Sequence, residues 1–325
     1  MLELRNQCAI QNRLQACMEK DGLDAMILTA PEAIFYATGF ASQFLYQSNL
    51  IGLTVAVVPK TGKVTLICSE FENQTAVSSC KDIEIMAYPM WIYIEDYAKD
   101  DGEDKPAQPD LNRTFRWAAE IIKSQYGNPK VGIESEKISH SKWDYLQTEF
   151  PGGQLVDCSA TLVESRMIKT PWEISVLRRG AEISEVAMYK TAHEITPGMT
   201  EADVMRLFKM NCQMQSPDVM DILQAHTIAA DFAPAIVPRH HRLRLGDIVR
   251  LDGGPIYCGY GADLARTFVL GNTTEKRREE IYSILWKGNN CAKEMLGPGV
   301  RMCDVFNAVQ ATIKKDISGF KRGHH

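Results

Sequence analysis

Residues 246–271 hold the side chains most able to do chemistry: Gly-Asp-Ile-Val-Arg-Leu-Asp252, then Gly-Gly-Pro-Ile-Tyr-Cys-Gly-Tyr260-Gly-Ala-Asp263, then Leu-Ala-Arg-Thr267-Phe-Val-Leu-Gly. Residues 248–251 and 264–270 read as strands, and the glycine-rich middle reads as a turn. Asp252 and Asp263 lie equidistant from a turn centred on Tyr257 and Cys258. In a simple antiparallel hairpin, directly opposed residues point to one face. Two carboxylates would then face each other at close range, which is costly unless they are protonated or bridged by a cation. Alternation puts Thr267 on the face of Asp263 and Arg266 on the other. Arg266 is then a poor counter-ion for the pair, and a metal ion is the natural one. Taken singly, either Asp reads as a turn residue at the surface; the symmetric pair inside apolar strands is what points to a site. The glycines are not a dinucleotide-binding loop, because Gly259-Tyr-Gly261 lacks a third glycine and opens no helix.

Such a pair needs helices to hold it. Thr170-Pro-Trp-Glu173 reads as a helix start, with Thr170 as N-cap, Pro171 at the first helical position and Glu173 completing a capping box. Leu177, Ala181, Ser184 and Met188 form one row of this helix. Val176, Gly180, Ile183 and Ala187 form the adjoining row, and the two make a broad apolar face. Pro197-Gly198 ends the helix, and Thr200 caps the next, with Met199 and Val204 placed for a hydrophobic staple. The signal then recurs. Pro197, Gly198, Asp203 and Val204 match Pro298, Gly299, Asp304 and Val305 at a spacing of 101, and Ala192 and Glu194 match Ala292 and Glu294 at 100. Chance likeness of two helix–turn–helix segments is one reading; a duplicated half-domain is the other.

Ahead of these elements, residues 1–160 read as an alternating α/β unit. Residues 2–20 are helical in pattern and 25–29 form a short apolar strand. Residues 53–59 and 64–68 flank Lys60-Thr-Gly-Lys63 as a hairpin. Residues 98–110 carry many breakers and read as an exposed loop. A helix over 111–126 and a strand near Lys130 follow. The texture changes near Leu162, so the expected domains are 1–160 and 161–325.

A chain of 325 residues is long enough for two domains at about 100–200 residues each. Its net charge of −5 gives no global pull toward nucleic acid or an anionic membrane. No run of about 18 apolar residues exists to span a bilayer, and the first residues do not read as a secretory signal. The nine scattered cysteines contain no Cys-x-x-Cys pair, which predicts reduced thiols and a cytoplasmic protein.

Asp252-x-Gly, Gly259-Tyr260-x-x-Asp263 and Arg266-Thr267 together resemble the metal hairpin of the pita-bread metallohydrolases, the family of Xaa-Pro aminopeptidases, prolidases, methionine aminopeptidases and creatinase. Arg166-Met-Ile-Lys-Thr-Pro-Trp-Glu-Ile resembles the entry to the catalytic domain of Xaa-Pro peptidases. Gly22-Leu-Asp-Ala and Phe35-Tyr-Ala-Thr-Gly-Phe resemble their N-terminal domain. The resemblance implies a creatinase-like α/β domain followed by a pseudo-symmetric α+β catalytic domain, which would account for the repeat.

It also implies two divalent ions, Mn²⁺ foremost with Co²⁺, Fe²⁺ or Zn²⁺ compatible, that activate a bridging water against a scissile carbonyl. Asp252 would be a ligand of one ion, Asp263 the bridging ligand, and Thr267 a partner orienting a carboxylate. Tyr260 and His240 would face substrate. The usual place of the family's substrate-side His is near Ala235, which is not His; His240 and His241 lie close by, and His226 is a weaker candidate. His140 and His193 read as structural or surface residues. Phe320-Lys-Arg-Gly-His324-His325 resembles the start of the family's His-x-x-Gly-His-Gly segment, which would place His324 near the substrate, though the same residues could begin an affinity tag. The repeat sets the second hairpin's ligands near about 353 and about 364, so the catalytic domain is expected to be incomplete here.

Family members are commonly dimers, and a peptide or dipeptide with proline second is the implied substrate. Retention of both Asp argues against the creatinase reaction, and the N-terminal domain against a minimal methionine aminopeptidase. A related small-amide hydrolase and a non-catalytic peptide-binding module stay open.

Overall fold

The computed structural model describes residues 4–48, 51–90, 110, 112–222, 226–228 and 240–321, with the backbone alone for 46–48, 220–222 and 226–228. The loop expected over 98–110 lies, but for Asp110, outside them. The chain divides into two compact units, Met1–Arg178 and Arg179–His325.

In the first unit, Asn6 opens helix α1 (Gln7–Asp21) by accepting the Ala9 amide at 2.9 Å. This cap keeps residues 4–6 out of the helix expected from Leu2. Helices α2 (Pro31–Thr38), α3 (Gln43–Ser48), α4 (Glu70–Ser79), α5 (Arg113–Gln125), α6 (His140–Glu149) and α7 (Ser159–Met167) complete its helical layers. Strands β1 (Ala25–Leu28), β2 (Val55–Pro59), β3 (Thr65–Ser69), β4 (Glu84–Tyr88), β5 (Lys130–Ile133) and β6 (Gln154–Asp157) form one sheet in the order β4-β3-β2-β1-β5-β6. The expected hairpin is β2–β3, with Val55 opposite Ile67, while β1 is parallel to β5.

Strands β1 to β3 are buried at every position, which explains why they are almost continuously apolar. Met26, Leu28, Ala56 and Val58 join Ile10, Leu14 and Leu162 in one core. Ala25, Ile27, Val55 and Val57 join Phe115, Ile122 and Leu146 in another. The unit is therefore helix, sheet, helix. All nine cysteines are free, as their scatter predicts.

The division between the units falls within α8 (Pro171–Glu194). Both bonds of its capping box form: the Thr170 amide donates to Glu173 Oε2 at 2.6 Å, and the Glu173 amide to Thr170 Oγ1 at 3.2 Å. In the second unit α8 buries Gly180, Ile183, Ser184, Ala187, Met188 and Thr191, the face that the apolar rows predict. Helix α9 (Glu201–Gln213) starts on a complete Thr200–Asp203 capping box and buries Val204, Phe208 and Cys212. Strands β7 (Val219–Ile222), β8 (His226–Ile228), β9 (Ile248–Gly253), β10 (Pro255–Tyr257), β11 (Tyr260–Gly261) and β12 (Leu264–Val269) form two small sheets, β11-β10-β7 and β12-β9-β8.

Helices α10 (Lys276–Met295) and α11 (Met302–Lys314) follow. Gly198 and Gly299, the matched turn glycines, both take left-handed conformations, at φ 94° and 82°. The buried row Val204, Phe208 and Cys212 recurs as Val305, Val309 and Ile313, the last two buried. These matches favour duplication over chance. Among the described residues, no helix is long and apolar enough to cross a membrane.

Candidate metal centre

The hairpin tip is a two-residue turn at Cys258 and Gly259, with φ 46° and 78°, flanked by the pair Tyr257–Tyr260. Positive φ at both central residues is the type I′ pattern, whose twist matches that of the strands. The turn therefore centres one residue later than simple counting predicts. The whole register follows: Asp252 stands opposite Ala265 and Leu264 opposite Gly253, and the Ala262 amide donates to the Pro255 carbonyl at 2.9 Å. Direct opposition of Asp252 and Asp263 is corrected to a diagonal arrangement.

The two Asp remain on one side. On β9, Val249, Leu251 and Gly253 are buried while Arg250 and Asp252 are half-exposed. Approaching β12, Ala262 is buried, and Asp263 and Ala265 are exposed. The other side belongs to α8. Arg266 donates to Glu185 Oε1 at 2.8 Å, and Phe268 meets Tyr189 edge-on with ring centroids 6.2 Å apart. The Glu185 carboxylate holds the Arg266 pKa above its ordinary value. Arg266 is thus committed away from the Asp pair, as alternation requires.

Two glycines seat the hairpin on α8. A Cβ at Gly254 would lie 2.2 Å from the Ala262 carbonyl oxygen and 2.4 Å from Ser184 Oγ, and one at Gly180 would lie 3.1 Å from Ala262 Cβ. Close approach of backbone to helix is what these positions require. Burial pushes the Cys258 thiol at the tip above its usual pKa.

Besides Arg266 on β12, a second cation stands near the pair: Arg250 shares the face of Asp252 two residues earlier on β9. Its guanidinium lies 3.4 Å from Asp252 Oδ2. Thr267 stands opposite Arg250 in the register. The backbone of His226 pairs with Asp252 across β8–β9, a non-local pairing that no local sequence signal announces. Tyr260 sits at the turn, half-buried.

His240 is exposed, in a stretch anchored elsewhere. Next to it, the His241 carbonyl accepts the Glu201 amide at 3.3 Å, and Leu243 exchanges backbone bonds with Gly198 and Met199. The His241 ring lies 3.5 Å from Asp247. His140 and His193 are exposed on helices. Position 235 and His324 lie outside the described residues. A cavity of about 540 Å³ opens at the base of the hairpin, lined by Asp247, Asn272, Thr274 and Arg278, and is not lined by either Asp of the pair.

Asp252 and Asp263 would offer a divalent ion two carboxylates on one open face, hard oxygen donors suited to such an ion. Among the described residues, no group of three or more His, Cys, Asp or Glu side chains could hold a metal. The chemistry of the donors fits such an ion; their number supplies only part of a coordination sphere.

Comparisons with known proteins agree with this architecture. An Xaa-Pro dipeptidase from Bacillus anthracis superposes with a TM-score of 0.79 at 20% identity, covering 98% of this chain and 81% of that one, which shows a shared fold. A Staphylococcus aureus peptidase is 25% identical over 287 residues, 87% of this chain and 72% of its own length. The Xaa-Pro dipeptidase of Pyrococcus furiosus is 28% identical over 205 residues, 62% of this chain and 58% of the relative. Residues 11–168 match the Creatinase/Prolidase N-terminal domain, and residues 175–325 match Metallopeptidase family M24. Both domains are thus matched in order, a creatinase/prolidase-type N-terminal domain followed by an M24 metallopeptidase-type domain, with the aspartate hairpin inside the second.

Proposed function

We propose that this chain carries the N-terminal domain and the aspartate hairpin of a metal-dependent peptidase acting on Xaa-Pro bonds. The observation that supports the reading is the pair Asp252 and Asp263 on the open face of a hairpin whose other face is packed on α8. Asp252 would hold one ion, Asp263 would bridge two, and Thr267 would orient a carboxylate. A bound divalent pair supplies a water that loses its proton near neutral pH and a Lewis acid for the scissile carbonyl. Tyr260 borders the same hairpin and would contact substrate. His240 and His324 remain candidates for the substrate side. Mn²⁺ is the first expectation for such hard donors, with Co²⁺, Fe²⁺ and Zn²⁺ compatible. A cytoplasmic homodimer acting on a peptide or dipeptide with proline second completes the reading.

Two carboxylates alone hold a divalent ion weakly, so the 325-residue chain by itself is expected to be inactive. A chain bearing the second hairpin is expected to take up two ions and cleave an Xaa-Pro dipeptide. Full metal content and activity in its Asp263→Ala variant would overturn the assignment. A second reading, a peptide-binding module without chemistry, is favoured by the lack of a three-ligand cluster among the described residues. Xaa-Pro peptide binding by the 325-residue chain that persists in Asp252→Ala and ignores added Mn²⁺ would select it.

A further inference from the structure

Strand β9 alternates sharply. Val249 is 1% exposed and Leu251 0%, whereas the side chains of Arg250 and Asp252 are each 29% exposed. The open face therefore presents a cation and an anion in succession. The guanidinium reaches Asp252 Oδ2 through one nitrogen at 3.4 Å. This is a single long contact, not the two-pronged fork by which arginine grips a carboxylate firmly. Arg250 Nε is buried and makes no hydrogen bond. The register partners of Arg250 are Ile228 and Thr267, neither of them charged. Among the described residues, Asp252 is the acid that pairs with this guanidinium. Arg266 on the other face is the contrast: it is bound to Glu185 at 2.8 Å and to the Ala265 carbonyl at 2.9 Å.

We propose that Arg250 is the resident counter-ion of Asp252, a cation that occupies the carboxylate until a divalent metal displaces it and so sets the metal concentration at which the site loads. This inference rests on the reading of Asp252 as a metal ligand. A divalent ion and the guanidinium compete for the same oxygen, and once the ion is bound the two cations repel across a half-exposed face. The competition lowers metal affinity on the order of tenfold at low salt, and the penalty shrinks as ions screen it. The loose geometry suits the role, because a bidentate, buried pair would shut the site.

The test is Mn²⁺ binding to the 325-residue chain, read as loss of the free-ion electron paramagnetic resonance signal, for the parent and for Arg250→Met, Arg250→Lys and Asp252→Asn. Arg250→Met is expected to bind about tenfold tighter than the parent at low salt, with the gap closing in roughly 1 M salt. Arg250→Lys, which keeps the charge, is expected to stay within about threefold of the parent. Equal or weaker binding by Arg250→Met, including no binding by either chain, overturns the proposal. The two readings fail differently. Parent-like affinity in Asp252→Asn removes Asp252 from the metal site. Loss of binding in Asp252→Asn with no change in Arg250→Met leaves the ligand standing and removes only the counter-ion role.

Discussion

The second unit holds two copies of one helix pair in different circumstances. In the first copy, α8 and α9 bury Ile183, Met188, Val204 and Phe208, and the hairpin strands lie against α8. In the second copy, α10 and α11 pack on each other where Gly288 meets Val309 and Ile313. Their remaining apolar side chains stay largely in solvent, with Trp286 50% and Phe306 41% exposed. The left-handed glycine after the helix and an inner apolar row at matched positions recur in both. Local signals thus travel with the repeat, while burial depends on which sheet packs against the helices, and among the described residues a sheet packs on the first pair alone.

The largest expected difference is between Phe208 and Trp286. Phe208→Ala should cost about 3–5 kcal/mol of stability by leaving a cavity, whereas Trp286→Ala should stay within about 0.5 kcal/mol. Urea midpoints compare them, and equal losses would break the contrast. Next come the packing glycines. Gly254→Ala drives a Cβ into a backbone carbonyl and should cost about 3 kcal/mol. The Cβ of Gly288→Ala would meet the Ile313 side chain, 2.7 Å away and able to rotate, for a cost of about 1 kcal/mol.

The capping boxes are expected to differ least. Thr200 and Asp203 form a complete box, whereas Arg301 stands at the matching position before Asp304 and makes no side-chain cap. Thr200→Ala should cost about 1 kcal/mol, and Arg301→Thr should gain about 0.5 kcal/mol by supplying the missing cap. The Thr200 hydroxyl and amide hold the Asp203 carboxyl below its usual pKa. A depressed pKa stabilises above the unfolded value of 3.8 and loses that effect as pH falls through the folded value. The cost of Thr200→Ala should therefore shrink below about pH 3.8. A thermal-melt series over pH would read this, and a cost independent of pH would separate the cap from the charge of Asp203.

What could be read in the sequence follows the range of the forces involved. The boxes at Thr170–Glu173 and Thr200–Asp203 join residues three apart, so their letters suffice. The strands of the first sheet are legible because burial on both faces demands unbroken apolar runs. The hairpin register is not, because it depends on which two residues turn. Gly259 signals a left-handed residue, but Cys258 at φ 46° carries no such signal. Arg250 is visible in the period-two pattern once the neighbour along the strand is weighed with the neighbour across it. The pairing of β8 with Asp252 joins segments more than twenty residues apart, and no local pattern encodes it. Leu162 of α7, just past the boundary expected at 160, packs in the first core, a long-range contact that composition along the chain does not announce.

The bare backbone at Gly254 has a consequence for motion. With the Ala262 carbonyl and Ser184 crowding the space where a side chain would be, this part of the hairpin has little freedom to slide or rock on the helix. Amide hydrogens on both sides of the turn should then exchange with solvent in step with those of α8, as one opening unit. The carboxylates of Asp252 and Asp263 would inherit the stillness of a helix more than ten residues long, although they sit at the end of a strand and at the edge of a turn.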